Sequence, residues 1–267
     1  VHFNKGSDDT FTSLLAFPLT PVAEGKPAYA AFLRLLSRLT EAKVDSLGVL
    51  GSTGSYAYLT RTQRRRIATL AVEHADSIPV MICVGAVSTD EVLALTEDAQ
   101  QAGAAALLLP PLGYQALKEE EVFALYETVT RHASVPICVY DNPGTTHFTF
   151  SDALLGRIAQ LPGVGSVKIP GVPAEQSAAN DRLAQLRNTL PASVSIGVSG
   201  DASAANGLIA GCDGWYSVCG GLFPRVAKAM TEAAAAGDYA NVRAQSDRLE
   251  PLWALFRQHG GSFRVIS

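Results

Sequence analysis

Val164-Gly165-Ser166-Val167-Lys168-Ile169, followed at once by Pro170-Gly171, is an apolar run with a single lysine set into it. A strand buried on both faces reads as a near-continuous series of Val, Ile and Leu, and such strands belong to parallel sheets covered by helices. A charge in that setting is costly unless it is partnered or neutral. Burial disfavours the ammonium and frees the amine as a nucleophile. The alternative is a lysine that snorkels past the strand end to a carboxylate on a neighbouring loop.

Runs of the same kind recur along the whole chain. Strands are expected at 12–17, 46–50, 80–84, 105–109, 137–140, 164–169, 194–198 and 214–218, with helical patterns between them at 28–42, 61–75, 89–102, 119–133, 151–160, 174–189 and 202–210. Thr60-x-x-Gln63 and Ser88-x-x-Glu91 read as capping boxes, Ser151-Asp152 opens a helix, and Gly103 ends one. Eight strands alternating with helices is the count for an α/β protein of the closed (β/α)8 TIM-barrel type. An open doubly wound sheet would want fewer strands and a GxGxxG after the first, and neither is seen. The barrel is assigned to residues 1–222. Residues 223–267, with helices expected at 224–236 and 239–258, form a short C-terminal helical appendage.

At 267 residues the chain has the length of one barrel domain, and 48% hydrophobic residues provide for its core. A net charge of -4 with no basic stripe argues against nucleic acid and membrane surfaces as partners, and Arg64-Arg65-Arg66 reads as the solvated face of a helix. Cys83, Cys138, Cys212 and Cys219 show no metal-ligand spacing, and the five histidines form no i,i+4 pair. No stretch approaches a membrane span, and Val1-His2-Phe3-Asn4 does not read as a signal peptide. The expectation is a reduced, cytoplasmic protein with no metal and no cofactor.

In a barrel the chemistry sits where strands end. Those ends are Gly51-Ser52-Thr53-Gly54-Ser55, Tyr140-Asp141-Asn142-Pro143-Gly144, Lys168-Ile169-Pro170-Gly171 and Ser199-Gly200-Asp201. The first is a tight loop whose glycines let backbone amides approach an anion, with Ser52 and Thr53 adding hydroxyls. A Gly/Ser turn alone is a plain βα connection, and a lone Tyr140 is a core aromatic. Together, a carboxylate cradle, a phenol and an apolar-embedded lysine at one barrel mouth are the equipment for Schiff-base chemistry on a 2-oxo acid.

These motifs resemble the dihydrodipicolinate synthase and N-acetylneuraminate lyase superfamily of class I pyruvate-handling aldolases, over nearly the whole chain from Pro18-Leu19-Thr20-Pro21 to Gly260-Gly261-Ser262. Gly51-Ser52-Thr53-Gly54 resembles that family's pyruvate-carboxylate loop, Tyr140-Asp141-Asn142-Pro143 its Tyr-Asn-x-Pro motif, and Lys168 falls at its Schiff-base lysine. The resemblance implies Lys168, Tyr140 and Ser52 as catalytic residues. It further implies Thr53, Gly51, Gly54, Gly200, Tyr216, Thr145 and Tyr114 as substrate-binding residues, and a homodimer or homotetramer. Three positions depart from the family pattern. Thr145 stands where dihydrodipicolinate synthases carry the arginine that binds the carboxylate of the aldehyde partner. Tyr114 comes one residue late for the tyrosine that crosses the dimer interface, and Ser55 replaces a glutamate. The expected activity is a Schiff-base lyase or aldolase of pyruvate or another 2-oxo acid with an unspecified second substrate. Alternatives are 4-hydroxy-tetrahydrodipicolinate synthase itself, a barrel holding phosphate at Cys219-Gly220-Gly221, and a catalytically weakened paralogue with a binding role.

Overall fold

The computed structural model describes residues 10–262 and residue 265, so the opening Val1-His2-Phe3-Asn4 lies outside the described residues. Eight parallel strands close on themselves. They are β1 (Ser13–Ala16), β4 (Ser46–Val49), β5 (Val80–Cys83), β6 (Ala106–Leu109), β7 (Ile137–Tyr140), β8 (Val164–Ile169), β9 (Ser195–Val198) and β10 (Gly214–Ser217), and β1 pairs with both β4 and β10. Every residue of β4, β5, β6, β7 and β10 is buried, as strands walled on both faces require. The strand positions expected from the apolar runs hold to within one residue at each end.

The outer ring is built from α1 (Tyr29–Glu41), α2 (Arg61–Glu73), α3 (Thr89–Ala102), α4 (Glu119–His132), α6 (Asp152–Ala159), α7 (Gln176–Thr189) and α8 (Ala204–Ala210). Thr60 accepts from the Gln63 N–H at 3.3 Å while Gln63 Oε1 accepts from the Thr60 N–H at 2.9 Å, a complete capping box. Ser88 accepts from the Glu91 N–H, and Gly103 takes the left-handed conformation (φ 92°) that ends α3. After β10 come the short α9 (Val218–Leu222), then α10 (Pro224–Ala235), which packs on β1 and β10. Among the described residues no helix is long and apolar enough to cross a membrane.

Four features differ from the sequence expectation. The 239–258 helix is two, α11 (Tyr239–Arg248) and α12 (Glu250–Gln258), because Pro251 lacks the N–H that would bond back to the preceding turn. A small hairpin, β2 (Val22–Ala23) with β3 (Lys26–Pro27), turns through Glu24 and Gly25, both at positive φ. The one-turn α5 (Pro143–Thr146) follows β7. Arg64 is not on a solvated face. It is buried, donates to the Cys83 and Gly85 carbonyls at 2.9 and 2.8 Å, and stacks over Tyr56, while Arg65 and Arg66 are exposed. Its place in the first turn of α2 aims the guanidinium at the carbonyl ends of β5.

Candidate active site

Lys168 occupies the fifth position of β8, in register with Tyr140 on β7 and Gly197 on β9. It is 4% exposed, and among the described residues it forms no ion pair. The snorkelling alternative is therefore not what the chain does. Aromatic faces surround the amine instead: Nζ lies 4.0 Å from the Tyr140 ring centroid, 4.3 Å from Phe17 and 5.7 Å from Tyr216. Such faces attract a cation, whether ammonium or iminium, by about 0.5–2 kcal/mol each.

The cage exists because two strand positions lack side chains. A Cβ on Gly197 would sit 2.0 Å from the Tyr216 ring, and one on Gly48 of β4 would sit 2.3 Å from the Phe17 ring. Each ring fills the volume its neighbouring strand leaves empty. Two residues below Lys168 and Tyr140, on the same strand faces, lie Ser166 and Cys138. The Tyr216 hydroxyl is 2.6 Å from Ser166 Oγ and accepts from Cys138 Sγ at 3.3 Å. Burial pushes the Cys138 thiol up to about 11 and the Tyr216 phenol well above its ordinary range, so this lower layer stays protonated and serves as a floor.

Tyr140 is the polar end of the cage. Its hydroxyl pairs with Ser52 Oγ at 3.0 Å and accepts from Asn142 Nδ2 at 2.8 Å. Lys168 Nζ meets the face of the Tyr140 ring and makes no hydrogen bond to its hydroxyl. A proton passing between them therefore needs an oxygen seated in the space between. That space is a cavity of about 320 Å³, lined by Ser52 and Thr53 after β4, Asn142, Gly144 and Thr145 after β7, Pro170 and Gly171 after β8, and Ser199 and Gly200 after β9. Gly260, Gly261 and Ser262 roof it from the chain after α12. Among the described residues, the Ser52 and Thr53 amides have no protein acceptor, which leaves two donors free at the cavity edge. Lys168 is the only cationic side chain lining the cavity among the described residues, and no carboxylate lines it.

Of the residues expected from sequence, Lys168, Tyr140, Ser52, Thr53, Thr145, Gly200 and Tyr216 come together here. Gly51 and Gly54 do not line the cavity; a Cβ at Gly54 would strike the Leu50 backbone at 2.9 Å, so that glycine keeps the loop tight. Tyr114 is 92% exposed and also stands apart from the cavity. The amides at Cys219 and Gly220 donate to Asp201 Oδ2 and Ser217 Oγ, at 2.9 and 2.7 Å, so the loop once read as a phosphate site has spent its donors internally. Sequence reasoning missed Phe17, the last residue of the first expected strand, immediately before Pro18-Leu19-Thr20-Pro21, and Asn142, which lies inside a motif. Among the described residues no cluster of three or more His, Cys, Asp or Glu could hold a metal ion.

Comparison with known proteins converges on one group. The sequence model of the dihydrodipicolinate synthetase family matches residues 10–266. The 4-hydroxy-tetrahydrodipicolinate synthase of Methylococcus capsulatus is 32% identical over 239 residues, covering 89% of this chain and 79% of that protein. The protein of the same name from Phenylobacterium zucineum is 30% identical over 245 residues, with coverages of 91% and 81%. Among solved structures, dihydrodipicolinate synthase from Agrobacterium tumefaciens matches with a TM-score of 0.93 at 43% identity, covering 97% of this chain and 87% of that one.

Proposed function

This chain belongs to the dihydrodipicolinate synthetase family and is a class I, pyruvate-dependent lyase; on that premise we propose that Lys168 is its Schiff-base lysine and Tyr140 its proton shuttle. The observation that carries the proposal is the buried Lys168 amine, without an ion pair among the described residues, in one cavity with the Tyr140 and Ser52 hydroxyls. The Ser52 and Thr53 amides hold the pyruvate carboxylate, and Gly200 and Tyr216 complete the wall. Neutral Lys168 Nζ adds to the ketone carbon, forming a C–N bond and a carbinolamine hydroxyl. Tyr140 gives that hydroxyl a proton, water leaves, and an iminium remains. The cationic nitrogen then draws electrons from the adjacent C–H bond, Tyr140 takes the proton, and an enamine forms. Addition of the enamine carbon to an aldehyde makes the new C–C bond, and water hydrolyses the resulting iminium to release product. The aromatic cage favours the cationic intermediates over the neutral ketone, and stabilisation that grows along the reaction is what accelerates it.

The names of the curated relatives support condensation of the 4-hydroxy-tetrahydrodipicolinate synthase type as the overall reaction. One observation favours a second reading, an aldehyde without a carboxylate: among the described residues no cation but Lys168 lines the cavity, and a threonine hydroxyl at Thr145 cannot make the forked contact of a guanidinium. A homodimer in which Tyr114 meets a second copy is supported by the exposure of Tyr114 and Tyr58.

Borohydride trapping with pyruvate tests the core of the proposal. The expected result is one reduced pyruvate adduct on Lys168, absent in Lys168→Ala. Full turnover by Lys168→Ala ends the proposal. A panel setting carboxylate-bearing aldehydes against uncharged hydroxyaldehydes separates the two readings of the second substrate.

A further inference from the structure

Asn142 stands between two groups that the cavity needs in fixed positions. Its Nδ2 donates to the Tyr140 hydroxyl oxygen at 2.8 Å and to Thr145 Oγ1 at 3.1 Å. A carboxamide nitrogen carries two hydrogens, so both bonds form at once. The backbone of Asn142 is equally occupied. Its carbonyl accepts from the Thr145 and Thr146 N–H groups at 3.0 and 2.9 Å and from Thr146 Oγ1 at 3.0 Å, and Pro143 fixes the next φ. The side chain is thus mounted on a rigid frame and loses little freedom when a substrate arrives.

We propose that Asn142 is a positioning residue that directs the Tyr140 proton, an inference that rests on Tyr140 being the shuttle of a Lys168 Schiff base. A phenol oxygen has one hydrogen to give and lone pairs to receive with. The Asn142 N–H fills one lone pair, so the phenol's own hydrogen turns towards Ser52 Oγ, 3.0 Å away, or towards an oxygen seated in the cavity. A donor aimed at the phenol oxygen also stabilises the negative charge that grows there as the proton leaves for the carbinolamine hydroxyl. The same proton count is restored when the phenolate removes the C3 proton from the iminium. Through its second hydrogen, the same amide keeps Thr145 in place in the cavity lining, at the position where the family resemblance implies contact with the aldehyde partner. Proton direction and the shape of the aldehyde wall are therefore set by one side chain.

Exchange of the pyruvate methyl hydrogens for solvent deuterium, followed by proton NMR, reads enamine formation with no aldehyde present. Asn142→Ala removes the donor. Asn142→Asp keeps the shape but turns an acceptor towards the phenol. We expect the kcat of exchange to fall about tenfold in Asn142→Ala, the rate equivalent of one hydrogen bond, and further in Asn142→Asp. The KM for pyruvate should stay within about twofold in both, since the carboxylate cradle is untouched. Exchange in Asn142→Asp at the parent rate overturns the proposal, because shape alone would then suffice. So does a rise in KM with kcat unchanged. Failure to trap any pyruvate adduct on the parent chain removes the Schiff-base reading itself, which is a separate outcome.

Discussion

Gly197→Ala should be among the costliest single-methyl additions in this barrel, and the reason lies on the strand next door. The new Cβ would sit 2.0 and 2.4 Å from two carbons of the Tyr216 ring, where an ordinary contact is about 3.5–4.0 Å. The ring must retreat by more than about 1 Å through a core packed as densely as a crystal. Tyr216 is fully buried, and a shift of that size breaks its 2.6 Å bond to Ser166 and its contact with Cys138. Overpacking costs about 1–3 kcal/mol. A buried hydroxyl stripped of its partner adds about 1–3 kcal/mol. The sum, about 2–6 kcal/mol, is a large share of the total of about 5–15 kcal/mol that holds a domain together.

Urea unfolding, followed by circular dichroism and by the fluorescence of the buried Trp215 and Trp253, measures this cost. A double-mutant cycle isolates the clash. In a Tyr216→Leu background the ring is gone, and Gly197→Ala should cost less than about 1 kcal/mol, leaving a coupling above about 1 kcal/mol. The fraction of Gly197→Ala that folds should also form the pyruvate adduct more slowly, because the displaced ring moves the floor beneath Lys168. A Gly197→Ala protein within about 0.5 kcal/mol of the parent would refute the argument that the glycine exists to admit the ring.

Two further outcomes follow from buried carboxylates. Asp201→Ala strips the acceptor from Trp215 Nε1, Ser217 Oγ and the Cys219 N–H, now bonded at 3.0, 3.1 and 2.9 Å, and at about 1 kcal/mol or more per orphaned donor it should cost at least about 3 kcal/mol in urea unfolding. Burial pushes the carboxyls of Asp141 and Asp201 up to about 6, with Arg182 pulling Asp141 down and Asp152 pushing it up. Unfolded aspartate titrates near about 3.9, so between the two values the native state binds more protons than the unfolded state. Their contribution to stability is complete below about pH 4 and is lost as pH rises through 6. Asp141→Asn removes one of the two titrations. It should stabilise the chain by about 1 kcal/mol at pH 8 relative to its effect at pH 5, and an equal effect at both pH values would contradict the assignment.

The barrel was legible because its strands are buried on both faces, and burial on both faces leaves a continuous apolar record. The hairpin at Val22–Pro27 left no such record, since both residues of β2 are exposed. The break at Pro251 was present as a single letter inside an amphipathic pattern, and the pattern outweighed it. Lys168, Tyr140 and Ser52 were legible as residue types at strand ends. The cage around the amine was not, because Phe17 and Tyr216 reach it through gaps at Gly48 and Gly197 on neighbouring strands. Such gaps acquire meaning only once strand register is known. Arg64 misled for a related reason: its neighbours Arg65 and Arg66 are solvated, and a run of three charges hides which one faces in.

Residues 140 to 142 show how one strand end serves two environments. Side chains alternate along an extended chain, so Tyr140 and Asn142 share the face of the mouth while Asp141 points the other way. Asp141 is buried outside the cavity, near the Arg182–Asp152 pair that joins α7 to α6, and among the described residues its Oδ1 has no partner. Its backbone N–H donates to the Lys168 carbonyl at 3.0 Å, so the main chain of Asp141 ties β7 to β8 while its carboxyl stays outside the cavity. Among the described residues, the polar side chains that line the mouth beside the amine are hydroxyls and one amide. On the proposed reading, a carboxylate there would compete with the substrate for the Ser52 and Thr53 donors and would form an ion pair with Lys168. The excluded charge and the uncharged lining are therefore two sides of one arrangement: on the proposed reading, the amine keeps no permanent anion beside it among the described residues, and the carboxylate that enters the cavity is the substrate's own.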